Sequence, residues 1–351
     1  MSATIDSFEL KLDPPLQTAR ETLHTRQGVL FQVGTGPTGL GEATPLHPFT
    51  ESFEACKQAL ERATKAYTDA GWPRAFRVVS KTTKGRLRYP AARHAVSLAA
   101  LDLEAKQQET PLYRLLGGQA TGQVPVNATI GDGTATETAQ RAGVAKRAGF
   151  PAIKLKVGAG SIDRDVRRLR SVRETVGSHI ELRADANGAW NRADAQQFLS
   201  ETASFGLSYV EQPLPVEQTR AHGQLRGSGT GIALDESIAE TVVTTLLRKD
   251  VADVYVLKPM AIGGIDIARG LTKRVRQAGA TPVVTSIFES AVGRMGAVHL
   301  AASLENLPPS GLATAERFET DLAPDPAPVR NGAIEPPTDP GLGIEGVTID
   351  G

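Results

Sequence analysis

Apolar positions alternate with a period of two near the start of the chain, then settle into helical stripes, then into short apolar runs separated by helices. Residues 8–12 (Phe-Glu-Leu-Lys-Leu) alternate, 28–33 form an apolar run, and the Gly- and Pro-rich cluster 34–41 is turn chemistry. Together they predict a small antiparallel meander over the first 45 or so residues. A helical stripe follows over 52–70, with Ser52 as N-cap and Phe53, Cys56, Ala59 and Leu60 on one face. A second helix is expected over 91–107, and 111–118 reads as a short helix closed by glycine. Residues 1–120 are therefore expected to form an α+β unit.

The rhythm changes at residue 124. Strand-like runs at 124–130, 153–157, 180–188, 209–213, 231–237, 254–259, 282–286 and 310–315 are separated by helical segments such as 135–148 and 192–204. The repeat is roughly 25 residues, the length of a βα unit, and some eight such units close a barrel. An open doubly wound sheet is the competing arrangement, but no Gly-rich nucleotide fingerprint follows any of these strands. The expected fold is thus an α/β TIM barrel over 121–320 carrying an N-terminal α+β cap. The Pro- and Gly-rich segment 321–351 should wrap back over the cap or barrel.

Composition narrows the function by exclusion. Lys plus Arg equals Asp plus Glu at 39 each, so no global field recruits nucleic acid or acidic membranes. Aromatic residues make up 5%, too few for a stacking platform for single strands. The single cysteine, Cys56, precludes an internal disulfide and a cysteine zinc cluster. No apolar run approaches the ~20 residues that span a bilayer, and Asp6 and Glu9 interrupt any leader-like core. These features lead to the expectation of a cytoplasmic protein with a small-molecule carboxylate as its partner, and neither nucleic acid nor membrane.

The chemistry is concentrated at the strand ends. Lys154 and Lys156 share one face of the 153–157 strand, where two ammonium groups should repel and lower each other's pKa, unless neighbouring charge absorbs the repulsion. Successive strands then finish in Asp185, Glu211 and Asp235, and a further one in Lys258. Barrel active sites lie at the C-terminal ends of the strands, so the three carboxylates should converge. Three like charges so close need a cation, and hard oxygen ligands suit Mg²⁺. Each carboxylate taken alone would more commonly be a helix cap or a surface charge. All three in phase with their strands, flanked by lysines, point to a site.

The set Lys154-Leu-Lys156, Asp185-Ala-Asn187, Glu211-Gln-Pro, Asp235-Glu236-Ser and Lys258-Pro resembles the enolase superfamily, in its muconate-cycloisomerase-like branch. Within that branch, Arg26-Gln-Gly-Val-Leu, Gly41-Glu-Ala-Thr-Pro-Leu, the 286–293 stretch and 311–318 with Asp321-Leu322 are similar to the o-succinylbenzoate synthase group. The resemblance implies an enolase-like modified barrel and a lyase of menaquinone biosynthesis using Mg²⁺, or Mn²⁺ in its place. The implied reaction is syn dehydration of 2-succinyl-6-hydroxy-2,4-cyclohexadiene-1-carboxylate to 2-succinylbenzoate through an enediolate. Dipeptide epimerase, N-acylamino-acid racemase and muconate-type cycloisomerase are the alternatives for the same site.

By the same resemblance Asp185, Glu211 and Asp235 hold the metal, Lys156 moves the proton, and Lys258 is the partner acid/base or a stabilising cation. The two lysine roles are exchangeable. Lys154 would hydrogen-bond the substrate carboxylate or lower the pKa of Lys156, and Asn187 and Glu236 would orient ligands. Thr285 and Ser286 are candidates to bind the succinyl chain, and 48–50 (Pro-Phe-Thr) is a candidate lid. His299, in an apolar helix, is expected to pack. The 311–316 segment lacks an Asp-x-Asp that would hold a substrate ammonium, which weighs against a dipeptide epimerase.

Overall fold

A computed structural model describes residues 2–17, 22–119 and 122–349, so the expected domain boundary between 120 and 121 lies outside the described residues. The alternating strand Ala3–Gln17 pairs antiparallel with Thr22–Val33, which pairs in turn with Gly39–Ala43. This meander lies against the helix Pro90–Gln107. The approach is close: a Cβ built on Gly41 would stand 1.9 Å from the Ala95 carbonyl oxygen, so only glycine fits there. The helix Phe53–Ala70 starts at Ser52, whose hydroxyl accepts the Ala55 N–H at 3.4 Å. A further helix, Trp72–Val79, was not anticipated; Gly71 before it and Pro73 in its first turn are the signals for it.

The second part is a barrel. Seven strands lie parallel in sequence order: Asn127–Ile130, Ala152–Lys156, Glu181–Asp185, Leu207–Glu211, Gly231–Leu234, Val254–Leu257 and Thr281–Val284. Between them run the helices Ala135–Arg147, Ile162–Val176, Arg192–Glu201 and Ile265–Gln277, whose apolar faces and the outer strand faces form buried clusters. The lumen is filled by Tyr209, Ala233, Val254, Val256 and Val283, with the Arg183 guanidinium 5.0 Å from the Tyr209 ring centroid.

The expected eighth strand, 310–315, is replaced by a two-residue seam. Asn127 N–H donates to Ser310 O at 3.0 Å, Ser310 N–H to Pro125 O at 2.7 Å, and Gly311 N–H to Val284 O at 2.9 Å. These bonds tie the first and seventh strands through one short segment and close the barrel. The ladder stops there because Leu312 turns into the core and the chain enters a 3₁₀ turn at Ala315–Arg317. A Gly-Leu-Ala-Thr-Ala run also carries little of the branched and aromatic bulk that strands favour.

The C-terminal segment touches both parts of the molecule. Ala333–Ile334 pairs antiparallel with Val124–Pro125, while Leu342 N–H donates to Asp102 of the long cap helix at 2.8 Å. His299 is fully buried: its Nδ1 accepts the Tyr113 N–H at 3.2 Å and its Nε2 donates to Leu342 O at 3.2 Å. Burial lowers its pKa to about 4, so it packs as a neutral ring. Among the described residues no helix is long and apolar enough to cross a membrane.

Two buried charges join cap to barrel. Arg26 donates to the carbonyls of Thr44 and Pro45 in the cap and of Ile287 and Phe288 in the loop after the seventh strand. Glu42 accepts the N–H groups of Ser290 (2.9 Å) and Gly293 (2.7 Å), capping the last barrel helix, Ala291–Ala302. Beside them Glu289 accepts the Ile287 N–H at 2.9 Å.

Burial, with Glu42 adding to it, raises Glu289 from 4.5 to about 7. Its folded form therefore binds the proton more tightly than the unfolded chain does. The stability it contributes is complete below pH 4.5 and is lost as pH rises through about 7. Glu289→Gln keeps the acceptor without the titration. The melting temperature of the variant should gain on the parent between pH 5 and pH 8, by the equivalent of about 3 kcal/mol at most. A constant difference across that range would contradict the assignment.

Candidate active site

Strand register brings the expected groups together. Lys156, Asp185 and Glu211 are directly paired neighbours across the second, third and fourth strands. Asp235 and Lys258 follow the last residues of the fifth and sixth strands. All of these side chains therefore open at the C-terminal end of the barrel, and the second and sixth strands place Lys156 and Lys258 on opposite sides of it.

The three carboxylates are almost completely buried, at 1–4% exposure, and each faces an ammonium group. Lys154 Nζ lies 3.0 Å from both oxygens of Glu211 and 3.2 Å from Asp185. Lys156 Nζ lies 2.7 Å from the same Asp185 oxygen and donates to Asn187 Oδ1 at 2.8 Å. Lys258 holds Asp235, with the Phe49 ring centroid 3.8 Å from its Nζ. The lid expected at 48–50 thus reaches the site through Phe49.

The charges act on one another. Burial works to raise Asp185, but Lys156 and Lys154 outweigh it and hold that carboxyl well below the usual range. Burial and the neighbouring Asp185 raise Glu211 to about 7, against the pull of Lys154. Burial raises Asp235 to about 6 against Lys258. Lys154 corrects an expectation: burial works to lower it, but Glu211 and Asp185 outweigh that and push it well above its ordinary value. Repulsion between the two lysines does not dominate, because the lysines stand among carboxylates.

Does this donor set suit a divalent cation? Among the described residues no group of three His, Cys, Asp or Glu side chains is gathered as a ready metal cluster, because the lysines take the carboxylate oxygens. Yet Asp235 Oδ1 and Glu236 Oε2 are buried without a hydrogen-bond partner, and burial, with the neighbouring carboxylates adding to it, pushes Glu211 and Asp235 up. An all-oxygen donor set that keeps buried oxygens without a partner fits Mg²⁺ or Mn²⁺.

The supporting residues are placed as follows. Asn187, with φ at +46°, bridges Lys156 to Glu236 through its Nδ2, 2.9 Å from Glu236 Oε1. Thr285 spends its hydroxyl on Gly311 O at 2.9 Å, and so belongs to the barrel seam. Ser286 meets Thr314 at 3.2 Å. Gln212 was given no role from sequence, although it follows Glu211 directly. Its Oε1 accepts the N–H groups of Asp235 (3.1 Å) and Ser237 (3.2 Å), tying the fourth strand tip to the fifth. Its left-handed backbone, φ +41°, is what turns the amide inward.

Fold and site together define an enolase-type barrel. Residues 135–347 match the enolase C-terminal domain-like family, and residues 1–117 match the mandelate racemase / muconate lactonizing enzyme N-terminal domain. The chain belongs to this family, the enolase superfamily. It is 28% identical over 349 residues to the L-Ala-D/L-Glu epimerase of Bacillus subtilis, covering 96% of this chain and 94% of that one. It is 26% identical to muconate cycloisomerase 1 of Acinetobacter baylyi, covering 94% and 92%. A solved structure of a dipeptide epimerase from Enterococcus faecalis, complexed with Mg and the dipeptide L-Leu-L-Tyr, superposes with a TM-score of 0.86 at 27% identity, covering 98% and 99%.

Asn187→Ala removes the link that fixes Lys156 relative to Glu236. Turnover should fall by about 10–100-fold with little change in melting temperature. Parent-like kcat would remove Asn187 from the site.

Proposed function

We propose that the protein removes the proton α to the carboxylate of a small organic acid, with Lys156 and Lys258 as acid/base groups on opposite faces of the substrate. The observation that carries this reading is their placement at the ends of opposite barrel strands, each ammonium against its own buried carboxylate. Such a proton is far too weakly acidic for water at neutral pH, so charge stabilisation must accompany the base. Asp185, Glu211 and Asp235 would hold Mg²⁺, which when bound supplies positive charge to the substrate carboxylate. Lys154 adds a fixed ammonium beside Glu211, and Asn187 orients Lys156. Phe49 of the cap lies over Lys258 and would help to exclude water there.

The relatives support a reaction in which the proton is returned to the opposite face: racemisation or epimerisation of an N-acylated amino acid or dipeptide, with cycloisomerisation as its near neighbour. A second reading, syn dehydration to 2-succinylbenzoate, is favoured by one observation. The 311–316 segment offers no Asp-x-Asp for a substrate ammonium. A dehydration of that geometry needs one lysine on one face, whereas epimerisation needs both.

Asp185→Asn, Glu211→Gln and Asp235→Asn should each abolish Mg²⁺-dependent turnover with the fold retained. Full activity in all three, or in excess chelator, would rule out the metal site.

The two reactions separate on kcat/KM for dipeptides and N-succinylamino acids, against kcat/KM for the succinyl-cyclohexadiene carboxylate. Lys156→Ala and Lys258→Ala should each cost at least about 10²–10⁴-fold on the preferred substrate. A near-parent rate in either variant would remove that lysine from proton transfer. A preference for the diene acid would replace epimerisation with the dehydration reading.

A further inference from the structure

The two lysines are supported differently from behind. The carbonyl of Lys258 belongs to an ordinary helical turn, accepting the Ile262 N–H at 3.1 Å. Behind Lys156 stands a buried ion pair that the reaction itself does not use. Arg168 and Asp165, on the helix Ile162–Val176, are 1% and 0% exposed and meet at 2.7 Å. A buried ion pair is a poor source of stability, because desolvation offsets most of the attraction. Its other contacts are the informative ones.

Arg168 Nη1 donates to the Lys156 carbonyl at 2.9 Å, and Nη2 donates to the Gly131 carbonyl at 2.8 Å, just beyond the first strand. Asp165 Oδ2 accepts the Gly158 N–H at 2.7 Å. The pair therefore holds the backbone immediately at and immediately after Lys156, and it locks that backbone to the neighbouring strand. The turn has little room to adjust. Gly158 has φ +87°, and a Cβ there would stand 2.6 Å from the Ala189 Cβ. Nothing in the local sequence sets Asp165 and Arg168 apart from the other charges of this helix.

We propose that Arg168 and Asp165 are positioning residues for Lys156. By fixing its carbonyl and the following turn, they set where its ammonium stands between Asp185 and Asn187. This rests on the reading that Lys156 transfers the substrate proton. Displacing an acid/base group by about 1 Å can cost about 10²-fold in rate, which sets the scale of the effect.

The test uses Arg168→Met, with Arg168→Lys and Asp165→Asn as milder variants should the first fail to fold. Exchange of the substrate α-hydrogen with D₂O is followed separately from each of two epimers in the presence of Mg²⁺, and Lys156→Ala identifies the epimer whose hydrogen faces Lys156. Arg168→Met should slow exchange from that epimer by about 10²-fold, leave exchange from the other within a few-fold, and be largely rescued by Arg168→Lys. Equal losses from both epimers, or no loss from either, would overturn the positioning role. If the parent protein exchanges neither epimer, the functional reading falls, and the crystal structure of Arg168→Met decides the inference by itself. Lys156 Nζ withdrawn from Asp185 and Asn187 supports it, and an undisturbed Lys156 overturns it.

Discussion

Everything at the barrel mouth depends on balancing charge that water cannot reach. Three carboxylates and three ammonium groups stand on neighbouring strand ends, and the carboxylates are essentially dry. In such surroundings a single unpaired charge costs far more than any one contact gains. The lysines neutralise the carboxylates, and in the proposed function Lys156 and Lys258 also move protons. The match still leaves strain: burial and neighbouring carboxylates raise Glu211 and Asp235, and Asp235 and Glu236 each keep one oxygen without a partner. A divalent cation entering this set would free ammonium groups from carboxylates, coupling metal loading to lysine availability.

The scaffold keeps that arrangement rigid by routine means. Parallel register fixes Lys156, Asp185 and Glu211 in one row, so their spacing is that of strands and not of flexible loops. Gln212 ties the fourth strand tip to the fifth, and the short seam at Ser310 and Gly311 closes the ring. The cap is fastened by Arg26 and Glu42 to the loop and helix that follow the seventh strand. Phe49 can therefore rest on Lys258 without depending on a freely moving lid.

Much of this was legible in the sequence. Lysine alternation in a short apolar run, and single carboxylates ending successive strands, are local patterns with a fixed meaning once strands are parallel. What escaped was whatever depends on tertiary partners. Lys154 is expected from its own strand to lose proton affinity beside Lys156, but the carboxylates around it, Asp185 and Glu211, come from two other strands distant in the chain and reverse the direction. Thr285 looked like a substrate donor and serves the seam, because its partner Gly311 belongs to a strand that never extends. Gln212, Arg168 and Asp165 were invisible as functional groups for the same reason: their roles are contacts to backbone, which composition and periodicity do not encode.

In the proposed function the buried carboxylates bind one divalent cation. Mn²⁺ titration followed by electron paramagnetic resonance tests it without any assumption about substrate. One Mn²⁺ should bind per chain, be displaced competitively by Mg²⁺, and be lost when Glu211 is replaced by Gln. No binding at millimolar Mn²⁺, or binding undiminished in Glu211→Gln, would contradict it.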